Sequence, residues 1–250
     1  MKFIKMNRRD FLKKFTQLTV LGAFPFLYSW QIEPFWVEFV YKKMPIKNLP
    51  EELEGKTLIQ ISDLHVGNRF DWKFLIDSFR KAQKLKPDFV VYTGDFVQYG
   101  NQSERKDLET VLQNAVLGKL GTVGILGNHD YGKNWSEPDV ADEIVKIAEN
   151  SGIKMLLNEE FEVFGLNFIG FEDLWSNRFQ PEKAMQDFNP EKANLVLCHN
   201  PDACDLDIWN GYQGWILSGH THGGQCRIPG VVTPFLPVKN RKYISGKIDL

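Results

Sequence analysis

From Thr57 onward, short apolar runs alternate with stretches in which apolar residues recur every three or four positions. Thr57-Leu-Ile-Gln-Ile61 is the first run, and its length predicts a strand. Trp72, Leu75, Ile76, Phe79 and Ala82 then recur at the helical period. Asp88–Thr93 predicts a second strand, Leu108, Val111, Leu112 and Ala115 a second helix, and Thr122–Leu126 a third strand. The third helix begins near Pro138, carries Val140, Ile144, Ile147 and Ala148, and stops before Gly152. Proline suits a first helical turn and glycine the residue past the end. Glu160–Phe164 and Asn167–Phe171, joined at Gly165, read as a hairpin. Asn194–Cys198 and Gly214–Ser218 predict two further strands.

Polar residues gather where these runs stop. Asp63 and His65 follow the first strand, Asp95 the second, and Asn128, His129 and Asp130 the third. His199 follows Asn194–Cys198, and His220 and His222 follow Gly214–Ser218. In open α/β sheets ligand sites form beyond the carboxyl ends of the strands. Five such ends would therefore meet along one edge. Imidazoles, carboxylates and one amide oxygen, with no thiolate at these positions, suit Mn, Fe or Zn.

The first 30 residues follow a different pattern. Lys2, Lys5, Arg8, Arg9, Lys13 and Lys14 open the chain, and Phe15–Trp30 then carries no charge. A basic flank before an apolar stretch is the layout of an export signal. Asn7-Arg8-Arg9-Asp10-Phe11-Leu12-Lys13 resembles the twin-arginine export motif, with Asn7 where Ser or Thr is usual. No Ala-x-Ala cleavage pattern follows, and Gln31–Tyr41 reads as a strand. The expectation is an uncleaved signal at residues 1–30 that anchors an exported protein to the membrane, ahead of a domain at 31–250. The apolar run is shorter than the roughly 20 residues of a comfortable span. Spanning and lying in the interface both fit it, with Trp30, Phe35 and Trp36 suited to the boundary.

Composition narrows the classes further. The 250 residues are 43% hydrophobic, enough for one α/β domain. A net charge of −2 gives no basic footprint, so no nucleic-acid partner is expected. The three cysteines, Cys198, Cys204 and Cys226, are an odd number and do not form a disulfide framework; small buried residues are expected.

Asp63-Leu-His65, Gly94-Asp95, Gly127-Asn-His-Asp130, His199 and Gly219-His-Thr-His222 together resemble the motif blocks of calcineurin-like metallophosphoesterases. All five histidines of the chain fall within them. The resemblance implies a four-layer α-β-β-α sandwich with two mixed sheets. It implies two divalent metal ions, one held by Asp63, His65, Asp95 and His222, the other by Asp95, Asn128, His199 and His220. A bridging hydroxide would be the nucleophile. His129 would stabilise the phosphoryl oxygens and protonate the departing one, and Asp130 would orient His129.

No acidic residue with Arg-Gly follows Gly94-Asp95-Phe-Val-Gln-Tyr99, unlike the Ser/Thr protein phosphatases of this superfamily. Gly223-Gly224-Gln225, Tyr131 after Asp130 and the twin-arginine start resemble an exported, membrane-associated bacterial branch. The expected activity is a phosphodiesterase or pyrophosphatase acting on a small-molecule or lipid phosphate ester at a membrane. One alternative is the UDP-diacylglucosamine pyrophosphatase of lipid A synthesis; another is a membrane-anchored metal-binding domain with little turnover. Asn68 and Arg69 are read as a solvated loop more than as phosphate contacts. Trp135, Trp175 and Trp209 are read as core, with a place at the site's rim as the other reading. The chain ends soon after the last histidine block, so the second sheet is expected to be incomplete and the domain C-terminally truncated.

Overall fold

The structure, a computed structural model, describes residues 7–67, 71–224 and 236–250. Asn68, Arg69, Gln225 and Cys226, singled out above, lie outside the described residues, as do Lys2 and Lys5. The chain divides into two compact units, Met1–Lys43 and Met44–Leu250.

In the first unit α1 spans Arg8–Gln31. Asn7 is its N-cap, its side-chain oxygen accepting the Asp10 N–H at 2.8 Å. This satisfies one of the donors that a helix start leaves open. Arg8 and Arg9 follow, exposed, in the first turn. The strand expected over Gln31–Tyr41 does not form. Gln31 ends α1, Glu33–Phe35 is a 3-10 turn with Pro34 near its start, and residues 36–43 join no sheet among the described residues. Aromatic and β-branched composition favours a strand only where a neighbour takes up its N–H and C=O groups. Trp36, Val40 and Tyr41 are exposed. Among the described residues no helix is long and apolar enough to cross a membrane.

In the second unit β1 (Leu58–Ile61), β2 (Phe89–Thr93), β3 (Gly121–Ile125) and β4 (Lys154–Met155) form one sheet in that order. Every neighbouring pair is parallel. Parallel neighbours need crossovers, and α2 (Trp72–Gln83), α3 (Gln102–Leu112) and α4 (Pro138–Asn150) provide them. All three bring their apolar stripes to one cluster, where Phe79, Leu108, Val111 and Ile144 join Val90 and Tyr92.

The opposite face of that sheet is covered by a second one. β5 (Glu159–Val163), β6 (Leu166–Gly170), β7 (Ala193–Leu197) and β8 (Ile216–Leu217) lie side by side in that order. β5 and β6 are antiparallel and the other pairs parallel. Their hairpin turns at Phe164 and Gly165, both at positive φ, the geometry that matches strand twist in a two-residue turn. Side chains alternate along each strand. Phe89, Val91, Val123 and Ile125 therefore meet Leu166, Phe168, Leu195 and Leu197 between the sheets. Ile169, Val196 and Cys198 point the other way, onto Ala184 of α5 (Pro181–Ala184) and Ala203 of a 3-10 turn.

The layers are thus helices, sheet, sheet and short helical turns. Two mixed sheets were expected, but only the second is mixed. The first is parallel throughout its described strands, because each of its connections is a helical crossover rather than a hairpin. Burial on both faces explains why β2 is an apolar run up to Thr93 and why β6 and β7 are broken only by Asn167 and Asn194, which hydrogen-bond each other at 2.8 Å. Gln60 ties the sheets together near the strand ends, its Nε2 donating to Thr93 Oγ1 at 3.0 Å and to the Ser218 carbonyl at 2.9 Å. Cys198 is buried and Cys204 half-buried, and neither is in a disulfide.

Candidate metal centre

The loops leaving β1 and β2 run side by side. The N–H groups of Asp63 and His65 donate to the carbonyls of Gly94 and Asp95, each at 3.0 Å. Asp63, His65, Asp95, His220 and His222 all have positive φ, between 44° and 70°. Non-glycine residues avoid this region, and holding one there costs on the order of 1–3 kcal/mol. Five such residues in one place mean that surrounding packing over-determines the loops. Glycines allow the close approach. A Cβ on Gly94 would collide with the Gly127 backbone and lie 2.8 Å from His199 Nδ1. One on Gly219 would collide with Ser62 Oγ and lie 2.6 Å from Asp63 Oδ2.

These loops gather two groups of side chains, each able to hold a metal ion. Asp63, His65, Asp95 and His222 form one, and Asp95, His199 and His220 the other, with the ligand atoms of each within 4.8 Å of one another. Asp95 Oδ2 lies 3.4 Å from His65 Nε2 and 3.2 Å from His199 Nε2. Its Oδ1 accepts the His129 N–H at 2.9 Å. His65 Nε2 faces His222 Nε2 at 3.0 Å, and Asp63 Oδ1 lies 3.4 Å from His222 Nε2. Asn128 is buried close by, lining the same cavity as Asp95 and His220. All seven residues expected to bind metal are therefore drawn to the same edge of the two sheets.

Three buried atoms in this group have no hydrogen-bond partner: His65 Nδ1, Asn128 Oδ1 and His199 Nε2. Leaving such atoms unpaired costs free energy. A cation accepting the lone pairs of Asn128 Oδ1 and His199 Nε2 would remove that cost, so the donor set fits a borderline divalent metal. On His199 and His220 one ring nitrogen is already committed. His199 Nδ1 donates to the Thr93 carbonyl at 2.6 Å, and His220 Nε2 lies 2.8 Å from the Pro237 carbonyl. Hydrogen bonds of this kind fix the tautomer and leave the opposite nitrogen free to ligate.

The electrostatics agree. Burial lowers the pKa of His65 to about 4, helped by His222 and His129, and burial with neighbouring His199 lowers that of His220 to about 4. Both rings are held neutral, as a ligand must be. Burial would raise Asp95, but the His199 and His65 rings hold it below the usual carboxylate range. Burial likewise opposes a proton on His199, yet the Asp95 carboxylate outweighs it and raises that pKa. A field that draws a proton between Asp95 and His199 also draws a cation.

His129 stands at the cavity, but Asp130 does not orient it. The Asp130 carboxylate accepts the backbone N–H groups of Phe96, Val97 and Gly127 at 2.8, 3.2 and 2.8 Å. It fastens the loop after β2 to the loop after β3. Burial and then the Asp95 charge push its pKa up to about 8. The partner of the His129 ring is the Gln98 carbonyl, 2.6 Å from Nδ1. Gln98, Thr93 and Pro237 contribute through backbone oxygen, which leaves no trace in residue type. Asp173 could have been found. It is fully buried just beyond β6, and the rule that led to the other strand ends reaches it. Burial raises its pKa to about 6, against the pull of His199.

The tryptophans divide. Trp135 and Trp175 line the cavity with His129, whereas Trp209 packs on Phe171, 5.5 Å between ring centroids, in the outer apolar cluster.

The calcineurin-like phosphoesterase profile matches residues 56–224. The chain is 28% identical over 248 residues to phosphodiesterase YaeI of Escherichia coli K12, covering 96% of this chain and 87% of that one. It is 28% identical over 229 residues to the UDP-2,3-diacylglucosamine pyrophosphatase LpxG of Chlamydia trachomatis, covering 73% and 69%. It is 24% identical over 252 residues to the metallophosphoesterase YkuE of Bacillus subtilis, covering 97% and 86%. The profile spans the loops from Asp63 to His222, and the chain belongs to the calcineurin-like phosphoesterase family of metal-dependent phosphoester hydrolases.

Proposed function

We propose that the chain hydrolyses a phosphodiester or pyrophosphate bond with two divalent ions. Asp63, His65, Asp95 and His222 would hold one, and Asp95, Asn128, His199 and His220 the other. The observation that carries this reading is the sharing of Asp95 between both clusters. Two cations roughly 3.5–4 Å apart repel and need an anion between them. When bound, such a pair supplies an activated water and positive charge for the phosphoryl oxygens. The chain does the rest. The His129 N–H holds Asp95 Oδ1, so Oδ2 stays turned toward both histidine groups. Because Nδ1 of His129 is paired with the Gln98 carbonyl, Nε2 is the nitrogen that delivers a proton to the departing oxygen.

The test uses the full chain with added Mn and the bis- and mono-nitrophenyl esters of phosphate. Hydrolysis of the bis-ester, metal loss in Asp95→Asn, and retained metal with lost turnover in His129→Ala are expected. Full activity in Asp95→Asn, or bound metal without turnover of any ester, overturns the proposal. The second outcome favours a metal-binding domain. UDP-diacylglucosamine belongs in the same substrate panel, because the chlamydial relative is named for that pyrophosphate.

We further propose that the first unit directs twin-arginine export and keeps the protein at the membrane. Its support is the exposed Arg8-Arg9 pair at a capped helix start, with exposed Trp36 and Tyr41 beyond the helix. Arg8→Lys with Arg9→Lys is expected to retain the protein inside the cell, and membranes washed in high salt to retain the parent. A parent that washes off, or a double variant exported normally, contradicts this.

A further inference from the structure

The metal-cluster residues form one part of a cavity of about 290 Å³ whose remaining wall is apolar. Trp135 and Trp175 make that wall with Pro237. The two indoles touch, 4.6 Å between centroids and 34° between planes. Trp175 then meets His220 edge to face at 4.5 Å and 84°. Neither indole belongs to any of the three apolar clusters, unlike Trp209 and Trp215, which pack against them. Trp135 is 38% exposed although it sits beside a buried site. Core packing therefore does not account for the pair.

The chain holds both rings in place at some cost. Asn134 and Trp135 are consecutive non-glycine residues at φ 61° and 56°. A bulky residue keeps such a backbone only where its surroundings require it. The backbone N–H of Trp175 donates to Asp173 Oδ1 at 2.8 Å, and Asp173 is fully buried. The two loops are also joined to each other. Tyr131, before Trp135, donates its hydroxyl to Glu172 Oε1 at 3.1 Å, and Asn158 Nδ2 donates to Glu172 Oε2 at 2.7 Å. The wall is preorganised, which lowers the entropy lost when a ligand docks.

We infer that Trp135 and Trp175 are the specificity wall for the arm of the diester that stays on phosphorus, and that this arm carries a flat nucleobase. Trp135 is the exposed member of this tilted pair, and a planar ring can lie against its π face. Long acyl chains fit less well, since about 290 Å³ is at the low end for any organic ligand site and must also take the phosphoryl group. The inference rests on the phosphoesterase reading of the same site.

The test compares two diesters with one leaving group: the p-nitrophenyl ester of thymidine 5′-phosphate and ethyl p-nitrophenyl phosphate. In each, water adds to phosphorus, the bond to the nitrophenyl oxygen breaks, and p-nitrophenol leaves beside the remaining monoester. The Mn-loaded full chain is expected to favour the thymidine ester in kcat/KM by about tenfold, toward the lower end of what stacking one base on an aromatic side chain supplies. Trp135→Ala is expected to bring the ratio close to unity, and Trp135→Phe to restore most of it. An unchanged ratio in Trp135→Ala, or a parent ratio of one, overturns the wall. Titration with thymidine 5′-phosphate against inorganic phosphate, read by tryptophan fluorescence, separates the two claims. Quenching by the nucleotide alone, lost in Trp135→Ala, keeps the wall even if neither ester is cleaved. Equal response to both ligands removes it.

Discussion

The Gln98 carbonyl oxygen lies 2.6 Å from Nδ1 of His129. That carbonyl is itself fixed from the next turn of chain. The buried Glu104 carboxylate accepts the N–H groups of Tyr99 and Gly100, each at 2.7 Å, and the Asn101 side chain at 2.5 Å. Glu104 thus positions His129 through the backbone of residues 98–100 and never reaches the cavity. Glu104→Ala frees two N–H groups and is expected to lower kcat roughly 10- to 100-fold, the usual range for groups that orient a ligand or catalytic ring. Bound metal should stay at the parent level, measured by elemental analysis, and Glu104→Gln should recover part of the rate. Loss of metal together with activity would mean that Glu104 supports the whole loop rather than His129.

Gly94→Ala tests the crowding of the strand-end loops. Its Cβ would meet Gly127 backbone and the His199 ring, and φ is +93°. Neither backbone can yield without moving Asp95 or Asn128. The variant is expected to lose at least about 2 kcal/mol of stability, the level of overpacking combined with backbone strain. Mn should no longer raise its melting temperature. A variant that melts like the parent and still responds to Mn would show that the loops are looser than these contacts require.

His220 leans on the C-terminal segment. The Asp202 carboxylate accepts the N–H groups of Lys239 and Asn240 at 2.7 and 3.0 Å. This holds the segment that brings the Pro237 carbonyl to His220 Nε2. Asp202→Ala is expected to weaken metal binding about tenfold while His129 chemistry at saturating metal changes little. Titration with Mn followed by calorimetry measures it. An unchanged affinity would leave the segment without a part in holding His220.

Acid should loosen the same segment. Asp205 accepts the Tyr243 hydroxyl at 2.6 Å and Asn240 Nδ2 at 2.8 Å, which hold its carboxyl below the usual range. A pKa lowered by folding means the unfolded chain takes up the proton first. The contact's contribution is complete above the ordinary Asp value of about 3.9 and is lost as pH falls through the lower folded value. A carbon NMR titration should find the Asp205 midpoint below that ordinary value, and it should move upward in Tyr243→Phe. A midpoint at or above the ordinary value would contradict the contact.

The periodic runs from Thr57 to Ser218 determined nearly all the strands and helices, because burial on both faces leaves uninterrupted apolar segments and burial on one helical face leaves a stripe. Placing Asp63, Asp95, Asn128, His199 and His220 at strand ends needed nothing more, since parallel strands bring their carboxyl ends to one edge. Gln31–Tyr41 misled because strand propensity says nothing about whether a partner strand exists. β4, only two residues long, left no period to detect. Tertiary structure alone decided that Asp130 binds three backbone N–H groups rather than His129. It alone supplied Gln98, Thr93 and Pro237 as the partners of the histidine rings. A carbonyl is common to every residue, so its use depends on where the chain passes and not on what the residue is. The same holds for Trp135 and Trp175: their apolar character was plain, but only the fold set them beside Asp95, Asn128 and His220 while Trp209 went to the core.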